Sequence, residues 1–149
     1  MALRLTGVDP RQILSASAAD ANLPQTGAST LFTIADGNIE VIAIVGTVGT
    51  VIQAQANATK LEFDSGNGPN DLCATLDINA HTSGSLYYVT GTVANAMVNV
   101  TDGIILKQAT PWILGPGDIE LDCAASNTGT TSWVLYYRKL DAAATVTGT

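Results

Sequence analysis

Residues 30–45 read TLFTIADGNIEVIAIV, two runs of β-branched and large apolar residues that meet at Asp36-Gly37. Asp-Gly readily takes the positive φ angles of a tight reversal, so the stretch predicts a β-hairpin joining strands Thr30–Ala35 and Ile39–Val45. In the second strand Ile39, Val41, Ala43 and Val45 would line one face, while Ile42 and Ile44 stand on the other. A strand apolar on both faces needs two covering surfaces. It is expected either at the centre of a sheet beneath a loop or in a contact between subunits.

Downstream, short runs rich in Val, Ile, Thr and Tyr are separated by Gly, Asn, Asp and Pro clusters, with no sustained helical period. They predict further strands at Thr50–Ala56, Lys60–Phe63, Leu72–Ile78, Leu86–Thr90, Gly103–Lys107, Pro111–Leu114, Asp118–Ala124 and Ser132–Lys139. Gly46 and Gly49 interrupt IVGTVGTVI and predict a bulge or a second turn, because glycine weakens a strand interior. SGNGPND at Ser65–Asp71 and GPG at Gly115–Gly117 read as loops. Facing is clear in two strands: Leu61 and Phe63 oppose Lys60, Glu62 and Asp64, and Ile119, Leu121 and Cys123 oppose Asp118, Glu120 and Asp122. The pattern predicts an all-β fold, a two-sheet antiparallel β-sandwich of jelly-roll type.

The flanks read differently. Residues 1–27 carry no strand pattern, and only Gln12–Ala21, apolar and Ala-rich, suits a short helix. They are assigned to an N-terminal arm, with the sandwich at 28–141 and a small-residue C-terminal tail at 142–149.

Composition narrows the function classes. Of 149 residues only 13% are charged, against about 25% in an ordinary soluble domain. The net charge is -7 and no Lys/Arg cluster is present to neutralise phosphates, so nucleic acid is not an expected partner. The longest apolar run, Val41–Val45, is too short to cross a bilayer, and the first residues lack a signal-peptide core. A protein made in a cytoplasm, with no membrane partner, is expected. Cys73 and Cys123 are read as free thiols, because Cys73 would share a face with Thr75 and Asp77 while Cys123 faces with Ile119 and Leu121.

The inventory for chemistry is short. His81, the one histidine, lies in the turn-like NAHTSGS and is read as a surface loop residue. No metal-ligand spacing, nucleophile elbow or phosphate loop accompanies it. Asp64, Asn67, Asn70 and Asp71 offer oxygens to a cation, but not in the order of a calcium loop, so a plain polar hairpin is the preferred reading. Trp112 and Trp133 stand in alternating strand context and are read as core or interface residues. No enzyme, metal or cofactor is expected.

The runs LFTIADGNIEVIAIVGTVGTVIQAQANATKLEF, DLCATLDINA, SLYYVTGTVANAM and PGDIELDCAASNTGTTSWVLYYRKL together resemble small virion proteins of tailed bacteriophages, in particular the capsid decoration, or cement, proteins. The resemblance spans about residues 28–140 and rests on strand pattern and on an Ala/Thr/Gly-rich composition. It implies a homo-oligomer, often a trimer, on the capsid surface of the virion, bridging major capsid protein subunits. Such a protein stabilises the shell by binding its assembled state. Candidate contact residues are Arg11, Ile13 and Leu14 in the arm, Ile42 and Ile44 on the two-sided strand, and Trp112. On this reading, removing residues 1–27 would weaken attachment and leave the sandwich folded. The alternative is a tail or fibre-tip receptor module that stacks host glycans on Trp112, Tyr87 or Tyr88. A lysis enzyme and a tail-tube subunit are weaker rivals.

Overall fold

The computed structural model describes residue 9 and residues 11–149. Among the described residues twelve strands form two antiparallel six-stranded sheets with the hydrophobic core between them. Sheet A runs β1 (Leu14–Asn22), β11 (Thr130–Lys139), β3 (Ile39–Val48), β7 (Leu86–Tyr88) and β8 (Val98–Val100), with β9 (Trp112–Leu114) also on β3. Sheet B runs β12 (Thr145–Gly148), β2 (Gln25–Ala35), β10 (Gly117–Ser126), β4 (Ala58–Asp64) and β5 (Pro69–Asp71), with β6 (Leu76–Asp77) also on β4. The first strand lies beside the eleventh and the second beside the tenth, while the chain passes from one sheet to the other. That nesting is a jelly-roll sandwich, as the sequence pattern predicts.

The Asp36-Gly37 reversal forms, with φ of 61° at Asp36 and 154° at Gly37, but it does not make a hairpin. β2 pairs with β10 and β12, whereas β3 pairs with β11, β7 and β9. The turn is an arch that carries the chain between sheets. Turn chemistry dictates where the chain reverses; partner choice is left to side-chain burial, and Ile34 and Ile39 are both buried in the intersheet core. The arch is held by the residues that follow β11: Asn38 N–H donates to Asp141 Oδ2 at 2.7 Å, and Leu140 N–H to the Asn38 carbonyl at 3.0 Å.

β3 explains the two-sided apolar strand. Ala43 pairs with Tyr136 and Val41 with Tyr137, so Ile42 is the extra residue of a β-bulge. The bulge changes the parity of the strand. Ile39 and Val41 point into the core before it, and Ile44 and Val48 after it. The expected single face of Ile39, Val41, Ala43 and Val45 is therefore split. Gly46 marks neither bulge nor turn: it lies within the β3 ladder opposite Trp133 and Tyr87.

The assignment of residues 1–27 to a non-strand arm is corrected by β1 and by the first residues of β2. Leu14, Ala16 and Ala18 pack against the core between the more exposed Ser15 and Ser17. These side chains are small, and an Ala-rich run of this kind suits a helix as well as a strand. Residues 1–8 and 10 of that arm lie outside the described residues. The tail at 142–149 is corrected too, since β12 pairs with β2 and Ala144 is fully buried. Removing residues 1–27 would take away an edge strand of sheet A, so an intact sandwich is no longer expected from that truncation. Thr50–Ala56 is not a strand, because its amides bond two different loops: Ile52 to the His81 carbonyl and Gln53 to that of Thr128. Gly103–Lys107 is a loop, and Leu72–Ile78 retains only the two residues of β6.

Candidate functional site

The outward faces of the two sheets have opposite character, and each follows from its strands. On sheet B, β4 and β10 carry their polar alternates on the outer face and pair them across the ladder, Asp118 with Asp64, Glu120 with Glu62 and Asp122 with Lys60; all are partly exposed except Glu62, which is buried. Lys60 gathers the acids, its Nζ lying 3.3 Å from Glu62 and 3.9 Å from Asp122 and bonding Asp71. Glu120 has no such cation. Partial burial pushes its carboxyl above the usual glutamate range, and the charges of Glu62, Asp64 and Asp118 push the same way.

The sign of the consequence follows by linkage. A carboxyl whose pKa is raised in the folded state binds more protons there than in the unfolded chain, so its ionisation opposes folding as pH rises. Glu120→Gln is expected to stabilise the protein at pH 7. The advantage should shrink as pH falls through the raised value and vanish below the ordinary 4.5. Thermal melts of both proteins from pH 4 to pH 8 would check this; a variant less stable at pH 7 would overturn it.

Sheet A carries an apolar patch on its outer face, bordered by the Glu40–Arg138 ion pair, whose Nη1 and Oε2 atoms lie 3.2 Å apart. β3 contributes Ile42, Ala43 and Val45, residues brought outward by the bulge. β11 contributes Tyr136, and the chain entering β1 contributes Ile13. The loop between β8 and β9 lies over them through Ile105, Leu106 and Lys107, and the whole encloses an open groove of about 370 Å³. Gln108 N–H donates to the Ile42 carbonyl at 3.2 Å and ties the loop to the bulge. Of the groove residues Leu106 is 58% exposed and Tyr136 40%, and Ile113 of β9, which pairs with Glu40 of β3 and does not line the groove, is 71% exposed. Scattered exposed apolar residues are ordinary, but a contiguous set of this kind marks a contact surface.

The candidate contact residues divide accordingly. Ile13 and Ile42 both line the groove; Arg11 is exposed near it in sequence, and Leu14 faces the core margin. Ile44 is 0% exposed and belongs wholly to the core, so its place among contact residues is withdrawn. The bulge reversed its facing. Trp112, at 9%, is also a core residue, with its indole N–H donating to the Gly91 carbonyl at 3.1 Å. Tyr87 is buried against Trp133, so neither Trp112 nor Tyr87 offers a free ring to a glycan. Leu106 and Tyr136 escaped the sequence reading, although the run IILK without a turn residue was a usable signal.

His81 is not a free surface residue. Its Nδ1 lies 2.7 Å from the Tyr87 hydroxyl, and burial pushes its pKa down while Asp77 opposes the shift. In the loop 64–71, Asp64 Oδ1 accepts the amides of Gly66 and Gly68, and β4 and β5 form a hairpin around it. That is the polar hairpin expected. Cys73 and Cys123 are free and buried, although Cys73 points inward rather than sharing a polar face. Among the described residues no group of three or more His, Cys, Asp and Glu is arranged to hold a metal ion.

No protein-family model matches the chain, and neither a curated protein nor a solved structure matches it.

Proposed function

We propose that the protein is a capsid decoration protein of a tailed bacteriophage, which binds the outside of the assembled head and stabilises it by bridging major capsid subunits. The observation that carries this reading is the asymmetry of the sandwich. One outer face carries an apolar groove, the other is mainly acidic. A particle-bound domain needs one adhesive surface and one that stays hydrated and repels neighbouring particles. The apolar face of sheet A is assigned to attachment and the acidic face of sheet B to solvent. The β-sandwich framework and the resemblance of its strand sequences to decoration proteins support the same reading. A homo-oligomer, with a trimer favoured, would place several apolar faces on the shell at once. Weak individual contacts then suffice, because each added contact is made at high effective concentration.

Immunogold electron microscopy on particles that contain the protein tests the proposal. Label distributed over heads is the expected result. Label confined to the tail tip, or absent from particles, overturns it, the former in favour of a receptor-binding module. With heads in hand, Leu106→Asp and Ile113→Asp are each expected to weaken attachment about tenfold or more, equivalent to about 1.4 kcal/mol or more.

A further inference from the structure

The β4–β5 hairpin closes through Ser65-Gly66-Asn67-Gly68, between Asp64 and Pro69, which pair across the ladder. All of these loop residues are exposed. Asn67 precedes a glycine, whereas every other asparagine of the chain precedes a residue with a side chain. Gly66 and Gly68 hold φ of 91° and 100°, and a β-carbon at either would meet open space. Among the described residues the Asn67 side-chain amide bonds only Ser65 Oγ, at 3.5 Å, longer than an ordinary hydrogen bond. Nothing stands against either glycine to stop the backbone of residue 68 from turning toward the Asn67 side chain.

We propose that Asn67 is a site of spontaneous deamidation, which places a new carboxylate in the loop of the β4–β5 hairpin. The step is an intramolecular cyclisation. Gly68 N gives up its proton to hydroxide and attacks Asn67 Cγ; the bond from Cγ to Nδ2 breaks, ammonia leaves and a succinimide closes. Water then opens the ring at either carbonyl, giving aspartate or, with the main chain rerouted through Cγ, isoaspartate. Ammonia is lost and water gained, with no oxidant, reductant or enzyme. Glycine at 68 favours the attack because it puts no β-carbon in its path and leaves φ free to turn. Asn57 and Asn127 show the opposite case: both are 1% exposed, and their Nδ2 groups are bonded to backbone carbonyls. The reaction also undoes the loop's own cap. Asp64 Oδ1 accepts Gly66 N–H at 2.7 Å and Gly68 N–H at 3.2 Å; the second bond is given up in the attack, and isoaspartate adds a backbone carbon to the loop. The new charge lies between Asp64 and Asp71 in sequence, at the end of the acidic strand β4. The capsid reading is not needed for this inference, which concerns the isolated chain.

The test is to age the folded full chain in mildly alkaline buffer and follow it by ion-exchange chromatography and tryptic mass mapping. A more acidic species is expected to accumulate, with the mass increase of an amide turned to an acid located by fragmentation of the peptide Leu61–Lys107. Conversion at Asn67 should be at least about tenfold faster than at any other asparagine, a barrier lower by about 1.4 kcal/mol. Equal rates at Asn67 and elsewhere overturn the proposal. Asp36-Gly37 and Asp102-Gly103 can cyclise as well, but they reopen with mass and charge unchanged, so the acidic species reports asparagine alone. Asn67→Gln, a change confined to an exposed loop residue, should abolish that species; its appearance at the parent's rate in the variant overturns the proposal.

Discussion

Replacing Gly46 by alanine is expected to lower the melting temperature by up to about 10 °C, and replacement by valine to lower it further. A β-carbon at Gly46 would stand 2.7 Å from two ring carbons of Trp133, well inside van der Waals contact. The ring has nowhere to retreat: it is buried, its indole N–H donates to Thr131 Oγ1 at 3.1 Å, and it stacks on Tyr87 with centroids 6.1 Å apart. Alanine in a strand interior normally gains about 0.5–1 kcal/mol over glycine through the unfolded chain. Overpacking costs about 1–3 kcal/mol, and more for a branched side chain, so the clash wins. The net loss is up to about 2.5 kcal/mol, which at about 2–4 °C per kcal/mol for a chain of this size sets the upper bound of about 10 °C. Trp133→Phe introduced together with Gly46→Ala should recover part of the loss, because contacting sites are non-additive. A melting temperature for Gly46→Ala equal to or above the parent would show that the indole is not fixed.

Truncation after Asp141 is expected to cost about 3 kcal/mol or more and to lower the melting temperature by about 10 °C. The loss is local in sequence but spans both sheets. Thr145–Gly148 pairs with Phe32–Ala35 in sheet B, while the Thr149 carbonyl accepts from Ala19 N–H of sheet A at 2.8 Å and Thr149 N–H donates to Leu31 at 3.1 Å. Ala144 leaves a fully buried position, and Val146 leaves the margin of the core. Each lost backbone bond removes about 0.5–1.5 kcal/mol, and orphaned buried groups on β2 add to that. Typical total stability is about 5–15 kcal/mol, so the shortened protein would still fold in part of that range but would be visibly weakened. A melting temperature within a degree of the full chain would mean that the C-terminal segment is a dispensable tail after all.

These expectations rest on features of unequal legibility. Strands with strict alternation and bulky residues, such as Leu61 and Phe63 against Lys60 and Glu62, could be faced from the residues alone, because large and charged side chains cannot exchange places. Leu14, Ala16 and Ala18 alternate just as strictly with Ser15 and Ser17. The difference in hydrophobicity between Ala and Ser is small, however, and Ala also favours helix, so β1 is not legible from its residues alone. Consecutive apolar residues misled in a different way. Leu31-Phe32 and Val41-Ile42-Ala43 each contain a bulge, which turns neighbours that ought to oppose one another toward the same side. A pattern of period two has no symbol for an inserted residue, which is why Ile44 was placed on the wrong face. The candidate surface was half legible: Ile13 and Ile42 were recognised, whereas Leu106 and Tyr136 needed the loop and β11 in place. At Asp36-Gly37 the reversal was written in the residues and the choice of partner strand was not.

The nesting of β1 beside β11 and of β2 beside β10 also bears on the order of events when the protein is made. Translation delivers the partners of the first two strands last, at about 5–20 residues per second, so Leu14–Ala35 waits several seconds with its ladder groups unpaired. Pairings this distant along the chain make for slow folding, because long loops must close before any contact rewards them. The nascent N-terminal strands are thus exposed to pairing with strands of other nascent chains. The small, weakly hydrophobic Ala and Ser of LSASAADAN suit that wait: a segment that is a poor β-aggregator alone becomes a good edge strand once Thr130–Lys139 has emerged to receive it.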